Sequence, residues 1–329
     1  MSGFPEQLWL KAKDIDNLED FKEIAFEVFR YQSENSPVYR EFLKLCHLDS
    51  APTVLSDIPF MPVEFFKTHK VHDSFSDPEL VLTSSGTTGM VQSSHFVSNP
   101  KTYQDSFRTS FTSFYGAPGK HCILALLPGY LEREGSSLVY MMDHLIRDSG
   151  HPYSGFYLDQ YGSLAQRLVE LNQNGTSTIL VGVSFALLDF FEQHPMNILG
   201  ILIMETGGMK GRRREIVRED LHRIIIEKSG VREIHSEYGM TELLSQAYSQ
   251  SNGIFKTPPW MQVFIRELHN PFGSFIEGAS GLVNIVDLAN IHSCSFLATK
   301  DLGRKYADGT FEVLGRMDES DIRGCNLMI

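Results

Sequence analysis

The segment Thr83-Ser84-Ser85-Gly86-Thr87-Thr88-Gly89 sets hydroxyl side chains before and between two glycines, directly after the apolar run Leu80-Val81-Leu82. Backbone N–H and side-chain O–H groups in such a loop can surround phosphate oxygens. Gly89 is followed by Met90-Val91-Gln92, not by the Lys-Ser/Thr of a Walker-type phosphate loop, so that class is disfavoured. A plain turn carries the same residues. A second candidate is Ser236-Glu237-Tyr238-Gly239-Met240-Thr241-Glu242, with an aromatic ring, a hydroxyl and a carboxylate within five residues. This trio can stack on a base, contact a phosphate and hold Mg²⁺, which prefers carboxylate and phosphate oxygens. A capped helix start, with Thr241 or Glu242 serving the first turn, reads the same way.

Two further segments are weaker alone. In residues 205–211 the pair Gly207-Gly208 would let a flat ligand approach the backbone, although a sharp strand-to-helix turn needs glycines too. The adjoining Lys210, Arg212, Arg213 and Arg214 read as a solvated helix face in a chain this acidic. In residues 299–303, Asp301 offers a carboxylate suited to the two hydroxyls of a ribose, and a turn-forming Asp would look identical.

The surrounding pattern supplies elements to position these groups. Residues 17–34 carry Phe21, Ile24, Ala25, Val28 and Phe29 at helical spacing. After Pro52 a proline-punctuated stretch resists regular structure. Apolar runs at 122–127, 178–183, 198–204 and 233–235 alternate with helix-like segments at 163–174, 185–192 and 212–228, which predicts an α/β body with a largely parallel sheet flanked by helices. Past Pro258-Pro259, segments 263–268, 281–287, 293–298 and 310–314 look like successive strands. The expected organisation is a helical N-terminal region plus α/β body over residues 1–256 and a smaller β-rich subdomain over 257–329.

Composition narrows the function classes. The 329 residues, 42% hydrophobic, can bury one large core or two subdomain cores. A net charge of −12 opposes nucleic-acid or anionic-membrane partners through bulk electrostatics. Cys46, Cys122, Cys294 and Cys325 show no C-x-x-C spacing, which argues against structural zinc and a dense disulfide framework. The N-terminus lacks a basic segment leading into an apolar core, and no run approaches the roughly eighteen apolar residues of a membrane span. A cytoplasmic protein is expected.

Taken in order, the four segments resemble the adenylate-forming superfamily of acyl-CoA synthetases, luciferases and peptide-synthetase adenylation domains, over nearly the whole chain. The resemblance implies that residues 83–89 form the ATP phosphate loop, Gly207-Gly208 lies at the adenine pocket, Tyr238, Gly239, Met240 and Thr241 contact AMP, Glu242 and Thr88 hold Mg²⁺, and Asp301 holds the ribose. Gly315-Arg316-Met317-Asp318 resembles the hinge, Arg316 and Asp318 being its characteristic residues. Thr241, Glu242 and Arg316 then belong to the catalytic set. Within the superfamily, residues 128–137, 205–211 and Asp321-Ile322-Arg323-Gly324-Cys325-Asn326-Leu327 look like the long-chain-fatty-acid luciferin-component ligases, or acyl-protein synthetases. That family adenylates a fatty acid and passes the acyl group to its own cysteine, here Cys325, and then to a reductase partner. ATP and Mg²⁺ are the implied cofactors. The chain departs from the superfamily in having Gln92 where a lysine usually follows the phosphate loop. It also ends at Ile329, where the superfamily's lid domain would begin, so a lidless plan is expected. Lys300, Arg304, Arg316 or Arg323 would then replace the lid's lysine. Alternatives are a ligase acylating coenzyme A or a carrier protein, like phenylacetate–CoA ligase, and a non-catalytic nucleotide-binding scaffold.

Overall fold

The computed structural model describes residues 3–47, 51–75, 77–84, 91–128, 135–207, 216–268, 270 and 273–317. Helices α1 (Phe4–Lys13), α2 (Leu18–Asn35) and α3 (Pro37–Leu45) open the chain. The helix expected over residues 17–34 is α2. Asn17 caps it, its side chain accepting from the N–H groups of Glu19 and Asp20, and Phe21, Ile24, Ala25, Val28 and Phe29 form its buried stripe. The proline-punctuated stretch holds only short pieces: a 3-10 turn (Leu55–Asp57), strand β1 (Met61–Pro62) and helix α4 (Phe65–Thr68).

An antiparallel hairpin, β2 (Leu80–Thr83) with β3 (Ser94–Val97), comes next. Helices and strands then alternate: α5 (Pro100–Tyr115), β4 (Cys122–Leu126), α6 (Ser137–Ser149), β5 (Gly155–Tyr157), α7 (Tyr161–Gln173), β6 (Thr178–Val183), α8 (Ser184–Gln193), β7 (Ile201–Thr206), α9 (Arg218–Ser229) and β8 (His235–Tyr238). The strands lie side by side as β5-β4-β6-β7-β8, all parallel. Every residue of β4 and β6 is buried, as strands covered by helices on both faces require. This is the α/β body that the alternation predicts.

The sheet does not stop at β8. Strands β9 (Ala247–Ser249), β10 (Ile254–Lys256), β11 (Met261–Arg266), β12 (Ser280–Asp287), β13 (Phe296–Lys305) and β14 (Phe311–Arg316) continue it in the order β9-β10-β14-β13-β12-β11, antiparallel throughout, with β1 added parallel to β13. Phe255 opposite Phe311 joins the two halves, and the boundary drawn at residue 257 falls in the link between β10 and β11. Residues 299–303, which a turn would also have explained, lie inside β13. Pairing with β12 on one side and β14 on the other holds them extended for ten residues.

Helix α2 reaches the far half through Phe29, whose ring packs on Phe296 (6.0 Å), and through the polar side chain of Gln32. Gln32, 1% exposed, donates from Nε2 to the carbonyls of Asn290 (2.9 Å) and Ile291 (2.9 Å), and its Oε1 accepts from Ser295 N–H (3.0 Å). Gln32→Ala strands these buried groups, so urea unfolding should show a loss of about 3 kcal/mol, whereas a change below about 0.5 kcal/mol would mean the segment finds other partners.

Candidate functional site

The hydroxyl-rich loop leaves from β2 and returns into β3. Ser85, Gly86, Thr87, Thr88 and Gly89 lie outside the described residues, but both ends of the loop are placed. Ser84 N–H donates to the Ser93 carbonyl (3.0 Å), and Ser93 N–H donates to Ser84 Oγ (2.9 Å). Thr83 N–H donates to the carbonyl of Gly135 (2.7 Å). Gly135 has φ +83°, and a Cβ there would sit 2.8 Å from Thr83 Oγ1, so only glycine permits this approach.

From the loop's base the site runs directly into the second motif. The Ser93 hydroxyl stands near the Glu242 carboxylate, which is 8% exposed. Burial raises the Glu242 pKa; the Ser93 hydroxyl and the charges of Arg316 and Lys67 oppose the rise. Two residues along β3, His95 Nδ1 lies 2.9 Å from the Thr241 carbonyl and Nε2 lies 2.8 Å from Ser293 Oγ. Burial drives the His95 pKa down to about 4, so the ring is neutral. A carbonyl only accepts, which puts the proton on Nδ1 and makes Nε2 the acceptor of the Ser293 hydroxyl.

No helix begins at Thr241, so the capping alternative is overturned. Asn290 Nδ2 donates to the Glu242 carbonyl (2.8 Å), and Asp287 accepts from Leu244 N–H (3.0 Å), Ser245 N–H (2.9 Å) and the Ser245 hydroxyl (2.6 Å). Burial pushes Asp287 up to about 6, against the pull of these donors. The backbone bonds that a helix would have used go instead to side chains from the antiparallel half.

On the other side of the motif, Tyr238 OH donates to Asp301 Oδ2 (2.7 Å), while its ring packs against Phe255 (5.9 Å) and Phe311 (5.8 Å). Asp301 stands opposite Arg316 in the β13–β14 ladder. Burial raises the Asp301 pKa, and Tyr238 and Arg316 both counter it. The structure therefore brings Thr83, Ser84, Tyr238, Gly239, Met240, Thr241, Glu242, Asp301 and Arg316 to one end of the sheet. Gly207 (φ 66°) follows β7, beside β8, and its carbonyl lies 2.7 Å from Ser184 Oγ. Gly208, Asp318, Arg323 and Cys325 lie outside the described residues.

Several groups here were not singled out from the sequence. Glu205 is buried yet held below the usual carboxylate range: burial alone would raise it, but His222 (3.7 Å) and Arg218 (Nε to Oε1, 3.0 Å) outweigh that. Arg218 also donates to the Val313 carbonyl (3.1 Å) in β14. Glu237 accepts from the Thr206 hydroxyl and is pushed up to about 7, by burial first and by the Glu205 charge, against that hydrogen bond. Of the cations considered, Lys300 pairs with Glu64 (2.9 Å) and Arg304 with Glu312 (3.7 Å), whereas Lys67, which carried no motif, acts on Glu242. The spacing of Ser93 and His95, two apart where a short strand begins, was the one local signal for the first pair; the partners of Glu205 and Glu237 left none. Phe185, Phe190 and Phe191 are core residues of α8, with Phe190 against Phe191 (5.0 Å) and Tyr161 (5.6 Å).

No family model matches the sequence, and no curated protein matches it in a sequence search. Solved structures do match in fold. A 2-hydroxyisobutyryl-CoA ligase in complex with 2-HIB-AMP and CoA superposes with a TM-score of 0.65 at 11% identity, covering 93% of this chain and 72% of its own. ATP-bound MatB from Rhodopseudomonas palustris gives 0.53 at 16% identity, covering 72% of this chain and 47% of its own. The fold is that of acyl-CoA ligases. This chain spans about half the length of MatB. Among the described residues no helix is long and apolar enough to cross a membrane, and no cluster of three or more His, Cys, Asp or Glu side chains could hold a metal ion alone.

Glu237 gives a pH signature. A carboxyl whose folded pKa is raised contributes stability that is fully present below its ordinary 4.5 and lost as pH rises through about 7. Against Glu237→Gln, the wild type should lose up to about 3 kcal/mol between those pH values in denaturant titrations; parallel profiles would contradict the assigned environment.

Proposed function

We propose that the protein activates a carboxylic acid with ATP, carboxylate + ATP → acyl-AMP + pyrophosphate, and that the acyl group then passes to a thiol. A carboxylate is a poor electrophile; joined to AMP it acquires a good leaving group. One observation carries the reading: His95, two residues past Ser93 at the base of the hydroxyl-rich loop, lies 2.9 Å from the Thr241 carbonyl, so the base of the loop and residues 238–242 share one end of the sheet. In this reading residues 83–89 hold the ATP phosphates, Gly207 and Gly208 admit the adenine, and Tyr238, Gly239, Met240 and Thr241 line the AMP. Asp301 takes the ribose, and Arg316 and Lys67 supply positive charge beside Glu242.

Mg²⁺ fits the donor set. A lone buried carboxylate, with no all-protein cage among the described residues, suits an ion that shares its coordination with substrate phosphates. Glu242 would hold it with Thr88, and the ion would neutralise phosphate charge as pyrophosphate leaves. Glu242 itself stands beside Ser93, and His95 and Asn290 keep the Thr241 and Glu242 backbone in place.

The finer form of the proposal is an acyl-protein synthetase acting in the cytoplasm on a fatty acid, with Cys325 as first acceptor and a reductase or carrier protein as the next. The division into residues 1–256 and 257–329 belongs to the same proposal. A second reading, transfer to coenzyme A, is favoured by the fold shared with a ligase solved with CoA. Carboxylate-dependent exchange of pyrophosphate into ATP tests the common core. Glu242→Gln should lower exchange about a hundredfold with thermal stability unchanged, and no exchange with any acid would leave a nucleotide-binding scaffold. Intact-protein mass spectrometry with ATP and acid separates the acceptors: an acyl adduct lost in Cys325→Ser supports self-acylation, and an adduct that survives removes Cys325 from the scheme.

A further inference from the structure

The ion pair between buried Glu205 and Arg218 has no task in the acid-activation scheme. The register shows what it lies on. Glu205 stands opposite Ser236, Ser236 opposite Ser249, Ser249 opposite Phe255 and Phe255 opposite Phe311. Cross-strand partners point to the same side and side chains repeat every second residue, so Glu205, Tyr238, Phe255, Phe311 and Val313 share one face. Arg218 crosses that face. Its Nε donates to Glu205 Oε1 in β7 (3.0 Å), its guanidinium lies 5.2 Å from the centre of the Phe255 ring in β10, and its Nη1 donates to the Val313 carbonyl in β14 (3.1 Å). Gly253, in the β9–β10 turn with φ +67°, leaves room for the side chain: a Cβ there would stand 3.2 Å from Arg218 Cδ and 3.4 Å from Nη1.

Strands β7 and β14 are separated in the sheet by β8, β9 and β10. In a flat sheet, strands about 4.8 Å apart would put them about 19 Å from each other. One guanidinium bonded to both cannot bridge that distance even with the Glu205 side chain added, so the sheet curls around this face and Arg218 closes the curl. Each side of the clasp leads into the candidate site. On the β7 side, Ser184 Oγ stands 2.8 Å from Glu205 Oε2 and 2.7 Å from the Gly207 carbonyl. A hydroxyl has one proton, and an ionised carboxylate and a carbonyl only accept, so the two oxygens share it and the Gly207 turn is tied to the clasped carboxylate. On the β14 side, Val313 comes three residues before Arg316, which stands opposite Asp301, the acceptor of the Tyr238 hydroxyl (2.7 Å). Phe255, against the guanidinium, also packs on the Tyr238 ring (5.9 Å).

We infer that Arg218 is a positioning residue of the nucleotide site: by clasping Glu205 to β14 it sets the distance between the Gly207 turn and the Tyr238–Asp301 pair. This rests on the nucleotide placement of the acid-activation reading, in which those two groups border the ligand. Arg218 touches no substrate in this scheme. It acts through Glu205 and Ser184 on one side and through Phe255 and β14 on the other. Both of its hydrogen bonds leave one rigid planar fork, which fixes its two acceptors relative to each other, whereas a lysine ammonium is a single point of charge on a flexible stem. A lysine at this position would neutralise Glu205 without also holding the Val313 carbonyl.

The test uses the full chain in pyrophosphate exchange, with KM measured separately for ATP, for pyrophosphate and for the acid that exchanges fastest. Arg218→Lys should raise the KM for ATP at least about fivefold and leave the other two within about twofold, because Glu205 stays paired while the hold on β14 is lost. Its thermal midpoint should stay within about 3 °C of the wild type. Arg218→Met also strands the Glu205 charge and should lower the midpoint; adding Glu205→Gln, which removes that charge, should restore the midpoint but not the KM for ATP. An unchanged KM for ATP in Arg218→Lys and in the double variant, or equal rises in all three KM values with a lowered midpoint, overturns the inference and leaves acid activation standing. If no acid supports exchange, acid activation falls, and calorimetric titration with ATP reads the clasp instead. Binding about fivefold weaker in Arg218→Lys supports it, and equal binding, or none by the wild type, overturns it.

Discussion

Glu242 is a carboxyl removed from water at the place where the β2–β3 hairpin, the parallel strands and the antiparallel strands meet, and the structure depends on how its surroundings satisfy it. Its side chain stands beside the Ser93 hydroxyl, its carbonyl takes Asn290, and the residue before it is held by His95. The partners come from two distant stretches of sequence, residues 93–95 and Asn290. Removing any one leaves a polar group stranded in a region of low dielectric, where an unpaired group is costly. The hairpin, the turn after β8 and the 287–295 segment are therefore a single unit, and α2 belongs to it through Gln32.

The same end of the sheet gathers several buried carboxyls, and they are sorted by what stands next to them. Glu205 has Arg218 and His222 beside it and stays ionised. Glu237, Glu242 and Asp301 have mainly the hydroxyls of Thr206, Ser93 and Tyr238 beside them, and all are displaced upward. Hydroxyls stabilise a buried negative charge less than a guanidinium does, so burial wins at these three positions and loses at the first. The carboxyls thus differ in proton affinity by environment, although their chemistry is the same. Such a spread is common where titratable groups carry function.

Continuity of the sheet is what allows this sorting. Because β10 pairs with β14, the strand that ends in Arg316 lies close enough to β8 for its charge to act on Glu242 and Asp301. Arg218 ties the same strand to Glu205 and lies over the Phe255 ring at 5.2 Å.

Local pattern carried a good deal of this. The alternation of apolar runs with helix-like segments determined the parallel body, because a strand buried on both faces has to be apolar throughout and a half-buried helix repeats every three to four residues. The resemblance that the four motifs carry in order was enough to name Tyr238, Glu242 and Asp301 as parts of one candidate site. Only the tertiary structure decided that residues 299–303 are strand and not turn, since pairing on both sides of β13 overrides local propensity. It alone brought Ser93, His95 and Lys67 to the Thr241-Glu242 turn, and burial together with the Glu205 charge lifted Glu237 to about 7. Those are properties of distant neighbours and of excluded water, and neither is written in the spacing of residues along a chain.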